Sequence, residues 1–368
     1  DSRRVTVMDR DWLDSVDAMA PEYPVRSAPI HSETPLRVVL NSGTTGSMKR
    51  MVHPARVHEF WIRQYRLRAG FNRQTRFLAT LRFNVEFFHT YAAACIRVGG
   101  ACICDDRMSL AAALGEYAIT HVALPPFLLL QVLDDPARPR VKRPGLMVLT
   151  AGAPVTAAVR DRVSRELADE LVESYGSQET TVIATMDTDR TGTVMPGVQV
   201  EVVDDDDEPV FNTPGRVRVR SEGCITGYLD NPEATARMFR GGWFYPGDLA
   251  VMKDPYRLRL LGRADDMLNI QGIKFAPGPL EETLRRNLPV DDLCLTALSD
   301  DAGVNHLWVV VALADPDRLA AIREAVLARL PAAYGTVYFM AVKGVPRTVT
   351  GKVRRKELND ALRQAQAR

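Results

Sequence analysis

The sequence predicts an α/β protein in two parts: a large layered N-terminal domain with mixed sheets over 1–263 and a small α+β domain over 264–368. Three observations predict it. Up to Glu179, stretches of helical apolar spacing alternate with short β-rich runs, the pattern of helices laid on a largely buried sheet. After Thr180 the runs VQVEVV, GRVRVR and DLAVMKD alternate apolar with polar residues between turns, as antiparallel strands do. Beyond Gly262 and Arg263 the chain carries helices and strands of its own, enough for a second core.

In chain order, the strand-like LRVVL at 36–40 comes first. Helices are expected over 54–69, 85–98, 110–117 and 155–169, and strands over 76–81, 101–104, 120–124 and 146–150. The acidic run Asp204 to Glu208 falls between two alternating segments and reads as a solvated hairpin tip, since adjacent like charges favour exposure. In the second part, helices are expected over 279–287, 318–330 and 353–366, and strands in DDLCLTALS, HLWVVVALA and TVYFMAVK. Neither a repeat nor a low-complexity tract is present.

With 368 residues, 46% hydrophobic and 25% charged, the chain can bury a large core. A net charge of +1 makes no electrostatic case for nucleic acid or a membrane surface. Five cysteines without paired zinc spacing, no apolar stretch of membrane-spanning length, and a start, DSRRVTVMDR, that leads into no apolar signal region together predict a reduced cytoplasmic protein. Cys102 and Cys104, on one face of a predicted strand, read as core rather than as ligands. The histidines His31, His53, His58, His89, His121 and His306 show no close zinc spacing.

The most informative segment is NSGTTGSMKR at 41–50, directly after the first strand. Gly43 and Gly46 let backbone N–H groups turn inward, Ser42, Thr44, Thr45 and Ser47 offer hydroxyl donors, and Lys49 adds a positive charge. A surface turn is the alternative, because Met48 stands where a P-loop requires glycine before its lysine.

Further segments follow in order: AGAP at 151–154, ESYGSQET at 173–180, GGWFYPGDLA at 241–250, LGRADDMLNIQGIKFAP at 261–277 and VPRTVTGKVRRKEL at 345–358. From Leu36 to the C-terminus the set resembles the adenylate-forming enzymes, which include acyl-CoA synthetases, the adenylation domains of peptide synthetases and firefly luciferase. That resemblance implies attack of a carboxylate on the α-phosphate of ATP, giving an acyl adenylate and pyrophosphate. Coenzyme A or a carrier-protein phosphopantetheine is then the implied acceptor. It places the phosphates in the glycine-hydroxyl loop with Lys49, and gives Mg²⁺ Glu179 as its protein ligand. It stacks Tyr175, followed by Gly176 and Gln178, on adenine, with Gly152 and Ala153 across the base. Asp248 then binds the ribose diol with Arg263 beside it, and Lys352 comes from a mobile C-terminal domain onto the carboxylate and α-phosphate, a contribution on the order of 3 kcal/mol. Asp265 is the implied hinge, and after the swing Gly272 and the run to Lys274 face the pantetheine tunnel.

Some positions depart from the family pattern. Phe83 and Asn84 fall in its acyl-pocket motif, where acyl-CoA synthetases often carry histidine and amino-acid-activating domains carry aspartate. Asn84 supplies no charge for a substrate ammonium, which disfavours an amino acid. Phe83, Phe87 and Phe88 could line a flat pocket, with core packing the alternative. Gln178 replaces the usual threonine and Arg216 the usual glutamate. Relatives carry a much longer stretch ahead of the phosphate loop than the 40 residues here. Such a chain resembles shortened members, among them phenylacetate-CoA ligase relatives and proteins of phenazine antibiotic pathways, and uncovered sheet edges would suit a homodimer. Adenylation with transfer to another acceptor, or a non-catalytic nucleotide-binding scaffold in a biosynthetic complex, are the competing functions.

Overall fold

The structure, a computed structural model, describes residues 29–42, 48–80, 85–105, 107–139, 141–270, 273–300, 304–347 and 353–366. Its first element is an antiparallel hairpin of Pro35–Ser42 and Met48–Pro54, with Asn41 opposite Lys49. Strand periodicity turns Val39 into the core and leaves Leu36, Val38 and Leu40 on the outer face, Val38 at 59% exposure.

A single sheet of thirteen strands organises the larger part. Strands Ala101–Ile103, Arg76–Leu78, His121–Ala123, Arg143–Ala151 and Ala168–Ser177 run parallel, side by side in that order. At Thr181–Met186 the direction reverses. The antiparallel half continues through Thr191–Val194, Arg257–Arg263, Asp248–Asp254 and Pro214–Ser221 to the short strands Trp243–Phe244 and Phe239–Arg240, with Val198–Val203 alongside Pro214–Ser221.

Neighbouring residues on the parallel strands serve opposite layers, which explains their continuous apolar character. Leu78, Val122 and Val148 pack with Leu114, Leu129 and Val163 of helices Leu110–Glu116, Pro126–Asp134 and Ala157–Glu166. Phe77, Ala123 and Leu149 pack instead with Val57, Trp61 and Tyr91 of helices Ala55–Ala69 and Glu86–Arg97. Trp61 also donates its indole N–H to the Gly223 carbonyl at 2.8 Å, pinning its helix to the antiparallel half.

One 3₁₀ turn, Ala264–Asp266, follows the large sheet. After it come a small hairpin, Leu268–Ile270 with Ile273–Phe275, and a three-stranded sheet of Asp292–Ser299, Asn305–Ala312 and Val337–Val342. Leu293, Leu295, Leu307 and Val309 face helices Pro277–Asn287 and Leu319–Leu327, whereas Cys294, Leu298, Trp308 and Val310 meet Leu358 and Leu362 of Arg355–Gln366. Asp292 binds Arg347 through two contacts of 2.8 Å and Arg285 at 3.1 Å.

Several expectations need correction. The helix expected to reach 169 ends at Glu166, because Ala168–Ser177 extends as a strand beside Arg143–Ala151. The short proline-initiated helix Pro126–Asp134 went unforeseen. Cys104 is exposed rather than core, since its strand stops at Ile103, while Cys102 is half-buried. The acidic tip is not simply solvated: Arg216 lies 3.1 Å from Asp207 and 3.7 Å from Asp205. Its departure from the family pattern thus has a local partner. Among the described residues, no helix is long and apolar enough to cross a membrane.

Candidate functional site

The sheet changes from parallel to antiparallel at Ala168–Ser177. Gly152 and Ala153 follow the neighbouring strand Arg143–Ala151. Gly152 adopts φ +96°, and nothing lies within 4 Å of where a Cβ would be.

Tyr175 donates its hydroxyl to Asp248 Oδ2 at 2.6 Å. Burial, reinforced by the Asp248 carboxylate, drives the Tyr175 pKa well above the usual phenol range, so the hydroxyl keeps its proton. Asp248 and Arg263 stand opposite each other in the antiparallel pairing, with Arg263 Nη1 3.5 Å from Asp248 Oδ1. The guanidinium also donates to the Pro246 carbonyl at 2.6 Å and lies 3.6 Å from Asp265. Gly247 is required here: its φ is +80°, and a Cβ would come within 3.1 Å of the Arg263 guanidinium.

Glu179 follows in the same run and is only 4% exposed. Its carboxylate accepts the Tyr228 hydroxyl at 2.8 Å. Lys49 Nζ sits 4.6 Å from the centre of the Tyr228 ring. Burial lowers the Lys49 pKa from 10.5; Glu179 opposes that shift, while Arg237 and Arg263 add to it. Lys49 therefore feels the cations Arg237 and Arg263 and the carboxylates Glu179 and Asp265 together, and Arg263 is itself shared between Asp248 and Asp265, so the site gathers charges of both signs. Gln178, the preceding residue, has a buried Oε1 with no hydrogen-bond partner. A buried carboxylate suits Mg²⁺, a hard cation that takes one or two carboxylates and completes its sphere with phosphate and water.

Tyr175, Asp248, Arg263 and Asp265 are thus linked by contacts, Lys49 reaches Glu179 through the Tyr228 ring, and Gly152, Ala153, Gly176 and Gln178 lie at or just after the ends of their strands. Ser42 ends the first hairpin strand opposite Met48, and Lys274 pairs with Asn269 in the small hairpin. Gly43, Thr44, Thr45, Gly46, Phe83, Asn84, Gly272 and Lys352 lie outside the described residues. Arg347 and Val353, which flank Lys352 in sequence, bridge each other. Phe87 lies in an aromatic cluster, 4.9 Å from Tyr91 and 5.2 Å from Phe88, and Phe88 itself is core.

Sequence reasoning missed Tyr228 and Arg237. Both flank a legible signal, Asn231 followed by Pro232, where Asn231 caps the helix Pro232–Met238. That cap fixes Tyr228 just ahead of the helix and Arg237 in its last turn.

Residues 1–229 match the family model described as AMP-binding enzyme. The chain is 30% identical over 365 residues to a probable nonribosomal peptide synthetase, CymA, of Salinispora arenicola, a match covering 91% of this chain and 4% of that protein. It is 26% identical over 368 residues to a (7a-methyl-1,5-dioxo-octahydro-indenyl)propanoyl:CoA ligase of Rhodococcus jostii, covering 92% of this chain and 67% of that one. Among solved structures, the amide bond synthetase McbA from Marinactinospora thermotolerans superposes with a TM-score of 0.75 at 22% identity, over 95% of this chain and 78% of McbA.

Proposed function

Because this chain belongs to the AMP-binding family of adenylate-forming enzymes, we propose that it activates a carboxylic acid with ATP. A carboxylate oxygen attacks the α-phosphorus, the bond from that phosphorus to its bridging oxygen breaks, and pyrophosphate leaves with both electrons of the bond. The observation that carries this reading is the linked set of Lys49 over Tyr228, Tyr228 on buried Glu179, and Asp248 held by Tyr175 and Arg263.

In this reading Lys49 and the adjoining loop, Ser42, Gly43, Thr44, Thr45 and Gly46, hold the phosphate chain. Tyr175 and Gly176 lie under the base with Gly152 and Ala153 across from them. Asp248 is the ribose acceptor; Tyr175 and Arg263 already aim its two oxygens, which reduces the reorganisation needed on binding. Mg²⁺ at Glu179 would neutralise phosphate charge. Tyr228 orients that carboxylate by donating to it. Lys352 carries the last positive charge to the reacting oxygens, and the turn at Asp265 lets the C-terminal part, 264–368, move relative to 1–263. That motion presents Gly272 and Lys274 to an incoming thiol of coenzyme A or a carrier-protein phosphopantetheine.

The acid is proposed to be aromatic or otherwise hydrophobic. Asn84 offers no charge to an ammonium, and Phe87 belongs to an aromatic wall. The test is ATP–pyrophosphate exchange over a panel of aromatic and aliphatic acids, followed by product analysis with and without coenzyme A. Acid-dependent exchange that Lys352→Ala abolishes supports adenylation. Nucleotide binding without exchange for any acid would instead identify a scaffold, and exchange with transfer only to amines would replace the thiol as acceptor.

A further inference from the structure

Apart from the nucleotide site, a partly buried cluster between two helices has nitrogen atoms without partners. Helices Ala55–Ala69 and Glu86–Arg97 pack together and bring His58 of the first against Glu86 and His89 of the second. One ligand atom from each of the three lies within 4.8 Å of the others. The His58 and His89 rings are 5.4 Å apart, and Nδ1 of each is buried with no hydrogen-bond partner. Orphaned buried polar atoms ask for an explanation, and a bound ion is one.

The carboxylate is fixed by polar neighbours. Glu86 is buried, its Oε2 accepts Arg37 at 2.5 Å, and its Oε1 accepts Thr90 at 2.9 Å with His53 Nδ1 3.8 Å away. Polar groups that hold a ligating carboxylate in this way are the usual outer shell of a metal site. Two imidazoles and one carboxylate form a three-ligand set that leaves a further position open. With bonds of about 2.1 Å the ligand atoms of a tetrahedral site stand roughly 3.4 Å apart, so small rotamer adjustments close the set.

We propose that His58, Glu86 and His89 bind a divalent transition metal of the zinc class and clamp these two helices together. The site is separate from Glu179 and takes no phosphate ligand. In the sequence its signature is the pair Glu86 and His89, three residues apart on one helix, a spacing that places both on one face.

The test uses the full chain, stripped with chelator, desalted and titrated with zinc chloride by calorimetry. Elemental analysis gives the stoichiometry, and cobalt(II) serves as a visible-absorption probe of the coordination geometry. About one equivalent per chain is expected, with affinity falling at least roughly tenfold in His58→Ala and in His89→Ala. His306→Ala, which removes a histidine paired with Asp300 in the C-terminal part, is expected to bind like the parent, and so is Glu179→Gln. If an alanine variant fails to fold by circular dichroism, Glu86→Gln and His58→Gln are titrated in its place. Less than about one-fifth of an equivalent retained, or parental affinity in the folded variants of these three residues, overturns the proposal. Loss of zinc in Glu179→Gln alone would do the same by moving the metal to the nucleotide site.

Discussion

Replacing Gly176 with alanine adds one methyl group to the strand that carries Tyr175. The new Cβ would sit inside the contact shell of the Thr181 carbonyl oxygen and 2.9 Å from both the Thr181 carbonyl carbon and Val182 Cα. All three are main-chain atoms of the paired strand, so no side chain can rotate away. Ordinary carbon contacts need about 3.5 Å, and the strands must part by roughly 1 Å. They would part at a register irregularity between Tyr175 and Gly176, where Thr181 already holds a left-handed φ of 71°. Overpacking costs about 1–3 kcal/mol, and a backbone clash belongs at the upper end. Because Gln178 and Glu179 follow directly, the same displacement reaches the site, where about 1 Å can lower turnover on the order of 100-fold. Gly192→Ala is the comparison, since its Cβ meets the flexible Met186 side chain, with sulfur at 2.7 Å and the methyl carbon at 3.4 Å, and the Ala184 Cβ at 3.0 Å, with no main-chain atom among these three. It should lose about 1 kcal/mol and keep its exchange rate. Urea midpoints and ATP–pyrophosphate exchange, measured on both variants, decide the matter. Parental stability and exchange in Gly176→Ala, or a larger loss in Gly192→Ala, would refute the packing argument.

Tyr228→Phe removes the hydroxyl that Glu179 accepts, and a buried hydrogen bond to a charged group contributes about 1.5–3 kcal/mol. A denaturation midpoint unchanged in metal-free protein would contradict that role. For Lys49, burial disfavours the charged form in the folded chain, so this penalty is present below its lowered pKa and lifts as pH rises toward 10.5. Apparent ATP affinity should accordingly decline at a lower pH than an ordinary lysine dictates, and Lys49→Arg should extend it upward; superimposable alkaline limbs would count against the assignment. At Asp292 burial pushes the pKa up, but Arg347 and Arg285 outweigh it and leave the carboxyl below 3.8. The resulting stability is present above 3.8 and disappears as pH falls through the folded value, so Asp292→Asn should cost about 2 kcal/mol near neutrality and flatten the acid limb. Hydrogen exchange of Asp292–Ser299 reads this directly, and equal protection in both proteins would exclude it.

Much of the large sheet was legible because its strands alternate or run continuously apolar according to how many faces they bury. The helices expected over 54–69 and 85–98 came within about two residues of those observed, Ala55–Ala69 and Glu86–Arg97. What sequence could not show was which distant segments meet. Tyr228 bonds Glu179 across 49 positions, and nothing local in GYLDNPEA announces that partner. His58 and His89 looked unrelated because they lie far apart along the chain, whereas the packing of two helices brings their rings to 5.4 Å. Arg216 looked like a family departure until the strand pairing set it beside Asp207. Cys104 was misplaced for a local reason, a strand that stops one residue early.

The contact between Tyr175 and Asp248 spans 73 residues. A ribosome working at about 5–20 residues per second exposes the tyrosine for roughly 4–15 s before its aspartate follows. During that wait the parallel half can assemble, yet its last strand keeps an open flank until Thr181–Met186 docks. Nascent polypeptide of this design is vulnerable in midsynthesis, when a half-built sheet is an invitation to chaperones and to neighbouring chains on the same messenger.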